Sequence, residues 1–342
     1  MKAVVKTQKE KHHVSLEEVK VPHLDEGEVL IKVEAAGICG TDIHIYEDGS
    51  YPVYPPVTLG HEVSGKVHDM ASDVKDIRIG DRVVSETYYS TCKKCEYCIS
   101  GRKNLCKHRL SIGSGKNGAM AEYIAVPAEN LHKIPDTVSF EEAAMTEPLA
   151  CCVQAVFEHA DLKPEDSVIV SGPGIIGLLC VQLIRLFGCN VLVLGTKEDE
   201  ERLELAKDFG AQMVVYSEDK HAMEKIREFS GKEGMDMAFE CSGAGAAVKF
   251  CIQSLKKGGR HIQVGLTSKP VEIDMNDLAL REISIEGTFA QKPVWWHRSL
   301  RLIENKKIRL SPLISKVHKL EDWKEGFQDV IDKRGLKHIL VP

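Results

Sequence analysis

Cys92, Cys95, Cys98 and Cys106 form a C-x2-C-x2-C-x7-C run within fifteen residues. Four thiols this close can reach the corners of one small tetrahedron, the geometry of a closed structural Zn2+ site. The surrounding sequence, TCKKCEYCISGRKNLC, is polar and charged. Burial of apolar surface therefore does not account for these cysteines, and a metal does. A second set of donors lies upstream. Cys39 sits in GICGTDIH (37–44), His61 and Glu62 follow Gly60, and Glu147 precedes Pro148. One thiolate, one imidazole and one or two carboxylates make a plausible ligand set that keeps a position open for water or substrate, as a catalytic zinc requires.

The third chemical signal is a glycine turn. Val168-Ile169-Val170-Ser171 reads as a buried strand and runs into Gly172-Pro173-Gly174-Ile175-Ile176-Gly177, followed by an apolar helix from Leu178 to Phe187. Placed between a strand and a helix, G-x-G-x-x-G is a dinucleotide fingerprint. Gly172 permits the tight turn, Gly174 lets the backbone approach a pyrophosphate, and Gly177 lets helix and strand pack closely. The phosphates would meet the free N–H groups of a helix N-terminus. The next strand ends where an acidic residue commonly takes the adenosine ribose hydroxyls of NAD. Gly195, Thr196 and Lys197 stand there instead. A carboxylate would repel a 2′-phosphate and Lys197 could pair with one, so NADP is the expected coenzyme; Glu198 and Asp199 lie close enough to leave NAD possible.

These sites need elements to hold them. A chain of 342 residues exceeds the usual size of one core, which favours two domains. The first 145 residues or so alternate short apolar runs (Val29-Leu30-Ile31, Val63 to Val67, Arg82-Val83-Val84) with Gly, Pro and Asp, the texture of a strand-rich domain. From about Ser167, strands near 168–171, 191–195, 213–216, 236–240, 260–265 and 284–288 alternate with amphipathic stretches such as Glu200 to Phe209. That βαβ rhythm predicts a doubly wound parallel sheet, hence an α/β fold. A helix at Pro293 to Asn305 and a closing strand at Lys337 to Val341 follow, and this tail is expected to rejoin the first domain.

Composition excludes several function classes. Hydrophobic residues at 43% and charged residues at 28% describe an ordinary globular chain, and a net charge of -6 argues against general affinity for nucleic acid or anionic membranes. The opening MKAVVKTQKEKHHV has only a short apolar stretch broken by Lys6, Lys9 and Lys11, and no run approaches the length of a membrane helix. A cytoplasmic location is expected. Cys151, Cys152, Cys180, Cys189, Cys241 and Cys251 lie in apolar surroundings and read as small core residues.

Together these motifs resemble those of the zinc-dependent medium-chain dehydrogenase/reductase family, closest to its sorbitol (polyol) and threonine dehydrogenase branch. The resemblance runs essentially from end to end. It rests on GICGTDIH at 37–44, GHEVSGKV at 60–67, Ile79-Gly80-Asp81-Arg82-Val83, the four-cysteine run, Glu147-Pro148-Leu149 and the glycine fingerprint. It implies a GroES-like, β-rich catalytic domain built from residues 1–147 and 288–342, with a zinc lobe at 90–108. A Rossmann domain at 148–287 and an active site in the cleft between them are also implied. By resemblance, Cys39 and His61 bind the catalytic zinc, and Glu62 and Glu147 complete the shell directly or through water. Cys92, Cys95, Cys98 and Cys106 hold a second, structural zinc. Thr41 and His44 match positions that pass a proton through a hydroxyl and the nicotinamide ribose to an imidazole. The family also implies a homotetramer.

The expected activity is hydride transfer from a polyol or secondary alcohol to a nicotinamide cofactor, giving a ketone or ketose. L-Threonine 3-dehydrogenase, an NADPH-dependent ketone reductase, and a zinc-stabilised nucleotide-sensing or structural protein are the alternatives. The intact Cys39, His61 and Glu62 set weighs against the last. Arg298 could hold substrate hydroxyls through water or be a solvated surface residue, whereas Trp295 and Trp296 read as packing residues.

Overall fold

The computed structural model describes every residue except Asp48 and Ser50. The chain divides into two compact units, Met1–Ala150 with Gln291–Pro342, and Cys151–Ala290.

The first unit is strand-rich. Its main sheet has the order Leu131–Lys133, Arg82–Ser85, Glu62–Met70, Glu28–Gly37, Lys337–Val341, Ile314–Lys319, with Tyr123–Pro127 also paired to Glu28–Gly37. The tail rejoins this unit because Ile339 and Leu340 pair antiparallel with Gly37 and Ala36. Alternation puts Val29, Ile31 and Val33 into the core with Val63, Val67, Val83 and Ile124. Trp323 and Phe327, from the helix Trp323–Ile331, close its far side. A two-stranded ribbon, Tyr88–Ser90 with Leu110–Ser111, carries the four-cysteine lobe between its strands. Trp296 is 1% exposed and packs, as expected, while Arg298 is exposed.

The second unit is a six-stranded parallel sheet in the order Met213–Tyr216, Asn190–Gly195, Ser167–Ser171, Met235–Glu240, Leu255–Gln263, Ser284–Gly287. In chain order within the unit this is 3-2-1-4-5-6, the doubly wound arrangement. The strands at its centre are buried on both faces, which explains their continuous apolar runs. Some element boundaries differ from the sequence expectation, two of them for clear reasons. The fifth strand starts at Leu255 rather than near 260, because Leu255 pairs with Met235 across a bulge that hydropathy does not mark. The fingerprint helix spans Ile175–Arg185, starting three residues before Leu178, because Gly174 itself is the N-cap. Of the six cysteines read as core, Cys152, Cys180, Cys189 and Cys251 are buried, whereas Cys151 and Cys241 are only partly so. Among the described residues, no helix is long and apolar enough to cross a membrane.

Candidate functional site

The strand Glu28–Gly37 delivers Cys39 just past its end, at the start of the helix Gly40–Glu47, and the antiparallel neighbour Glu62–Met70 begins beside it. Register places Glu62 directly opposite Gly37. The pairing explains the glycine: a Cβ at 37 would lie 1.9 Å from Glu62 Oε2, so only glycine lets the carboxylate fold over its cross-strand partner. Gly60, at φ +91°, turns the chain so that His61 faces the same point, and a Cβ there would strike Met120. The result is that one donor atom each from Cys39, His61 and Glu62 lies within 4.8 Å of the others.

The surroundings of this trio are charged and buried. Lys337 Nζ donates to Glu62 Oε1 at 2.8 Å, to Oε2 at 2.9 Å and to the Ile38 carbonyl at 3.0 Å. Asp42 is fully buried; its Oδ2 accepts from the Cys39 amide at 2.9 Å, and its Oδ1, which has no hydrogen-bond partner, lies 3.9 Å from His61 Nδ1. A carboxylate behind a ligating imidazole fixes its tautomer and raises its basicity, the usual support of a metal-bound histidine. Burial opposes a charge on His61, but Cys39, Asp42 and Glu147 together pull its pKa well above the ordinary histidine value. The site thus favours positive charge at this point. Soft, borderline and hard donors converging there fit Zn2+, with Glu62 Oε already shared with an ammonium.

Glu147 is not part of the trio. Its carboxylate Oε1 accepts from Gln291 Nε2 at 3.1 Å and from the Thr87 hydroxyl at 3.3 Å, and Gln291 also donates to Thr87 Oγ1 at 3.0 Å. Burial raises its pKa, partly offset by His61. Thr41 Oγ1 stands 3.8 Å from Cys39 Sγ, and His44, on the same helix, is exposed. Lys337, Asp42, Thr87 and Gln291 were not singled out from the sequence; a lone lysine opening an apolar strand, KHILV, is the one signal that could have drawn attention to the first.

In the lobe, Sγ–Sγ separations are 3.5 Å for Cys95–Cys98, 3.7 Å for Cys106–Cys92 and 3.9 Å for Cys92–Cys98. A tetrahedron with Zn–S bonds of about 2.3 Å has edges of about 3.8 Å, so the four thiols are spaced for zinc. None forms a disulfide.

In the second unit, the three fingerprint glycines answer to different demands. Gly172 has φ +88°, and a Cβ there would lie 2.7 Å from Ser242 Cβ. At Gly177 a Cβ would meet the Gly172 carbonyl oxygen at 2.0 Å. Around Gly174 there is nothing within 4 Å, an open cradle at the N-terminus of the helix that Ile175 and Ile176 begin. This is the space a pyrophosphate needs. Glu240 braces the facing loop, accepting from the amides of Ser242 at 2.8 Å and Gly243 at 3.0 Å. Gly195 is buried, and a Cβ would press on Leu203 and Pro173 at 3.1 to 3.2 Å, a tight fit that would require those side chains to shift. Asp199 turns its Oδ2 onto the Thr196 amide at 3.0 Å and hydroxyl at 2.8 Å, capping the turn Lys197–Asp199. Lys197 is exposed.

The glycine turn, the doubly wound sheet and the two metal-spaced clusters define a zinc-binding, nucleotide-dependent type of protein, and comparison with known proteins narrows it. Residues 25–136 match the alcohol dehydrogenase GroES-like domain and residues 176–305 match the zinc-binding dehydrogenase domain. The chain is 39% identical to a sorbitol dehydrogenase of Halalkalibacterium halodurans over 100% of its own length and 99% of the relative's. It is 37% identical to a D-arabitol-phosphate dehydrogenase of Enterococcus avium, with 98% and 96% covered. A zinc-binding dehydrogenase from Sinorhizobium meliloti, whose crystal structure was solved bound to NADP, superposes with a TM-score of 0.93 at 33% identity, covering 100% and 99% of the chains. The chain belongs to the zinc-dependent medium-chain dehydrogenase/reductase family.

Proposed function

We propose that the protein oxidises a polyol or related secondary alcohol to the ketone or ketose, with a nicotinamide cofactor taking the hydride. The observation that carries this reading is the convergence of half-buried Cys39 and His61 with buried Glu62, backed by Asp42 and Lys337, in a chain whose relatives include sorbitol and arabitol-phosphate dehydrogenases. Bound at Cys39 and His61, with Glu62 and Glu147 beside them, zinc supplies a Lewis acid that makes a neighbouring hydroxyl more acidic. Bound on the Gly172–Gly177 turn, nicotinamide dinucleotide supplies the hydride acceptor. The remaining tasks belong to the chain. Asp42 places a buried carboxylate 3.9 Å from His61 Nδ1, Lys337 fixes the Glu62 carboxylate, and Gln291 with Thr87 orients Glu147. Thr41 Oγ1 would accept the proton of the substrate hydroxyl as it passes its own through the nicotinamide ribose to His44, whose exposed imidazole would release a proton to water.

NADP is the proposed preference. Asp199 is occupied in capping Thr196, Gly195 has no side chain, and exposed Lys197, with Glu218 as its neighbouring carboxylate, supplies a cation for a 2′-phosphate; the Sinorhizobium relative was solved bound to that coenzyme. We further propose two zinc ions per chain, the second held by Cys92, Cys95, Cys98 and Cys106, and a cytoplasmic homotetramer.

The test joins a metal count to a coenzyme-reduction screen over polyols, threonine and simple secondary alcohols. Cys39→Ala is expected to remove one zinc of two and abolish turnover; full rate in that variant would end the proposal. Lys197→Ala should lower kcat/KM for NADP about tenfold with little change for NAD, and a strong NAD preference in the unaltered protein would overturn the coenzyme assignment.

A further inference from the structure

A third group of ligand atoms lies in the same unit, on elements that carry neither Cys39 and His61 nor the four-cysteine lobe. His318 comes from the strand Ile314–Lys319, Asp329 from the helix Trp323–Ile331 and His338 from the strand Lys337–Val341. All three are buried, at 3%, 7% and 2% exposure. His318 Nε2 lies 3.1 Å from His338 Nδ1 and 3.6 Å from Asp329 Oδ2, and His338 Nδ1 lies 3.8 Å from the same oxygen. A circle through three atoms so separated has a radius of about 2.0 Å, which matches Zn–N and Zn–O bond lengths of about 2.0–2.2 Å. Three donors on a common sphere of that size need no rearrangement to share one ion.

The atoms behind these donors are arranged to the same end. His338 Nε2 donates to the Arg334 carbonyl at 2.7 Å, which keeps its proton there and leaves the Nδ1 lone pair facing the cluster. Arg334 Nε and Nη2 each hold Asp329 Oδ1 at 2.7 Å, so Oδ2 is turned to the histidines. The other nitrogen of His318, Nδ1, lies 3.9 Å from Glu325 Oε2 and can carry the ring proton toward that carboxylate when Nε2 acts as ligand. Lys316 Nζ, 4.0 Å from Asp329 Oδ2, is tied to Glu325 Oε1 at 2.5 Å. Lys316, Glu325 and Arg334 have side chains 47%, 55% and 58% exposed and form the outer wall, through which an ion can enter.

We propose that His318 Nε2, His338 Nδ1 and Asp329 Oδ2 form a third metal site, for a divalent transition cation of the zinc type. Two imidazoles and one carboxylate suit such a cation and disfavour the all-oxygen preference of Mg2+ or Ca2+. Water or Glu325 completes the coordination. The ion cross-links one helix and two strands, and its ligand His338 adjoins Lys337, the residue that fixes Glu62. The opposing arrangement is a bare His318–His338 hydrogen bond with no metal affinity.

The full-length protein, dialysed free of loose metal, is titrated with Zn2+ and counted by mass spectrometry after gel filtration. The unaltered chain is expected to take a third equivalent, and Asp329→Asn and His318→Gln to lose that equivalent alone. Zinc-edge X-ray absorption on the unaltered chain, two equivalents against three, supplies a readout independent of variant folding. Its difference signal should contain imidazole scattering and no sulfur, because the other two sites have one imidazole and none, and both contain thiolate. Saturation at two equivalents, a third equivalent retained by both variants, or sulfur in the difference signal would overturn the proposal.

Discussion

Replacing Lys337 by methionine keeps most of the side-chain volume and removes one buried charge. In the native protein that ammonium makes hydrogen bonds of 2.8 and 2.9 Å to Glu62 and 3.0 Å to the Ile38 carbonyl, with the two side chains 4% and 0% exposed. Burial pulls against its charge, but Glu62, Cys39 and Glu147 outweigh that and raise the pKa above the ordinary lysine value. A raised lysine stabilises the fold at every pH below its unfolded value, so the contribution is fully present at neutral pH. Breaking a buried pair while leaving one charge behind costs about 3–5 kcal/mol. For a unit of about 200 residues, at about 2–4 °C per kcal/mol, the midpoint should fall by about 6–20 °C. Trp295, Trp296 and Trp323 are the chain's three tryptophans and all lie in this unit, so their fluorescence follows its unfolding selectively. The double variant Glu62→Gln, Lys337→Met leaves no orphaned charge and should lose less than Lys337→Met alone. A single variant melting within about 2 °C of the native protein, or a double variant less stable than the single, would refute the reasoning.

Three further outcomes follow from the geometry. Cys98→Ser should cost one metal equivalent and lower the melting temperature while kcat stays within about twofold, because four thiolates leave no position for substrate; metal counting beside steady-state rates checks it. Gly174→Ala should fold normally yet raise the coenzyme Kd about tenfold, about 1.4 kcal/mol, since its Cβ enters only the open cradle, whereas Gly177→Ala should destabilise the fold through the 2.0 Å clash with the Gly172 carbonyl; calorimetric titration and thermal melts separate the two. His261 is held below the ordinary histidine pKa by burial, so its unfolded form binds the proton more readily and stability should decline as pH falls through about 6.5. His261→Gln should decline less, as read from hydrogen exchange of the Leu255–Gln263 amides.

Much of the fold was legible because its central strands are buried on both faces and its turns require glycine. Ser167–Ser171, Asn190–Gly195, Met213–Tyr216 and Lys337–Val341 stand as apolar runs whose ends are set by punctuation within one or two residues. The start of the strand at Leu255 was not legible, since LKKGGR is kept in the sheet by pairing with Met235 rather than by its own hydropathy. The lobe could be read completely at the level of residue type, because four thiols separated by two, two and seven residues have few other uses in a charged loop.

The site itself was only half readable, and the reason is distance along the chain. Cys39, His61 and Glu62 announce themselves by glycines that local geometry requires, and the 1.9 Å approach of a Cβ at Gly37 to Glu62 shows that the glycine and the carboxylate are one design across two strands. The groups that make the trio work as a site, Lys337 to Glu62 and Gln291 to Glu147, are 275 and 144 residues from their partners. No spacing rule spans such separations. They become visible only when Lys337–Val341 pairs with Glu28–Gly37, bringing a lysine that reads as an ordinary surface charge into a pocket where it is 4% exposed. Burial, not residue type, turns Lys337 from a solvated cation into the hydrogen-bonded partner that holds Glu62 beside Cys39 and His61. The chemistry of the site therefore depends on the tail of the chain as much as on the motifs near its beginning.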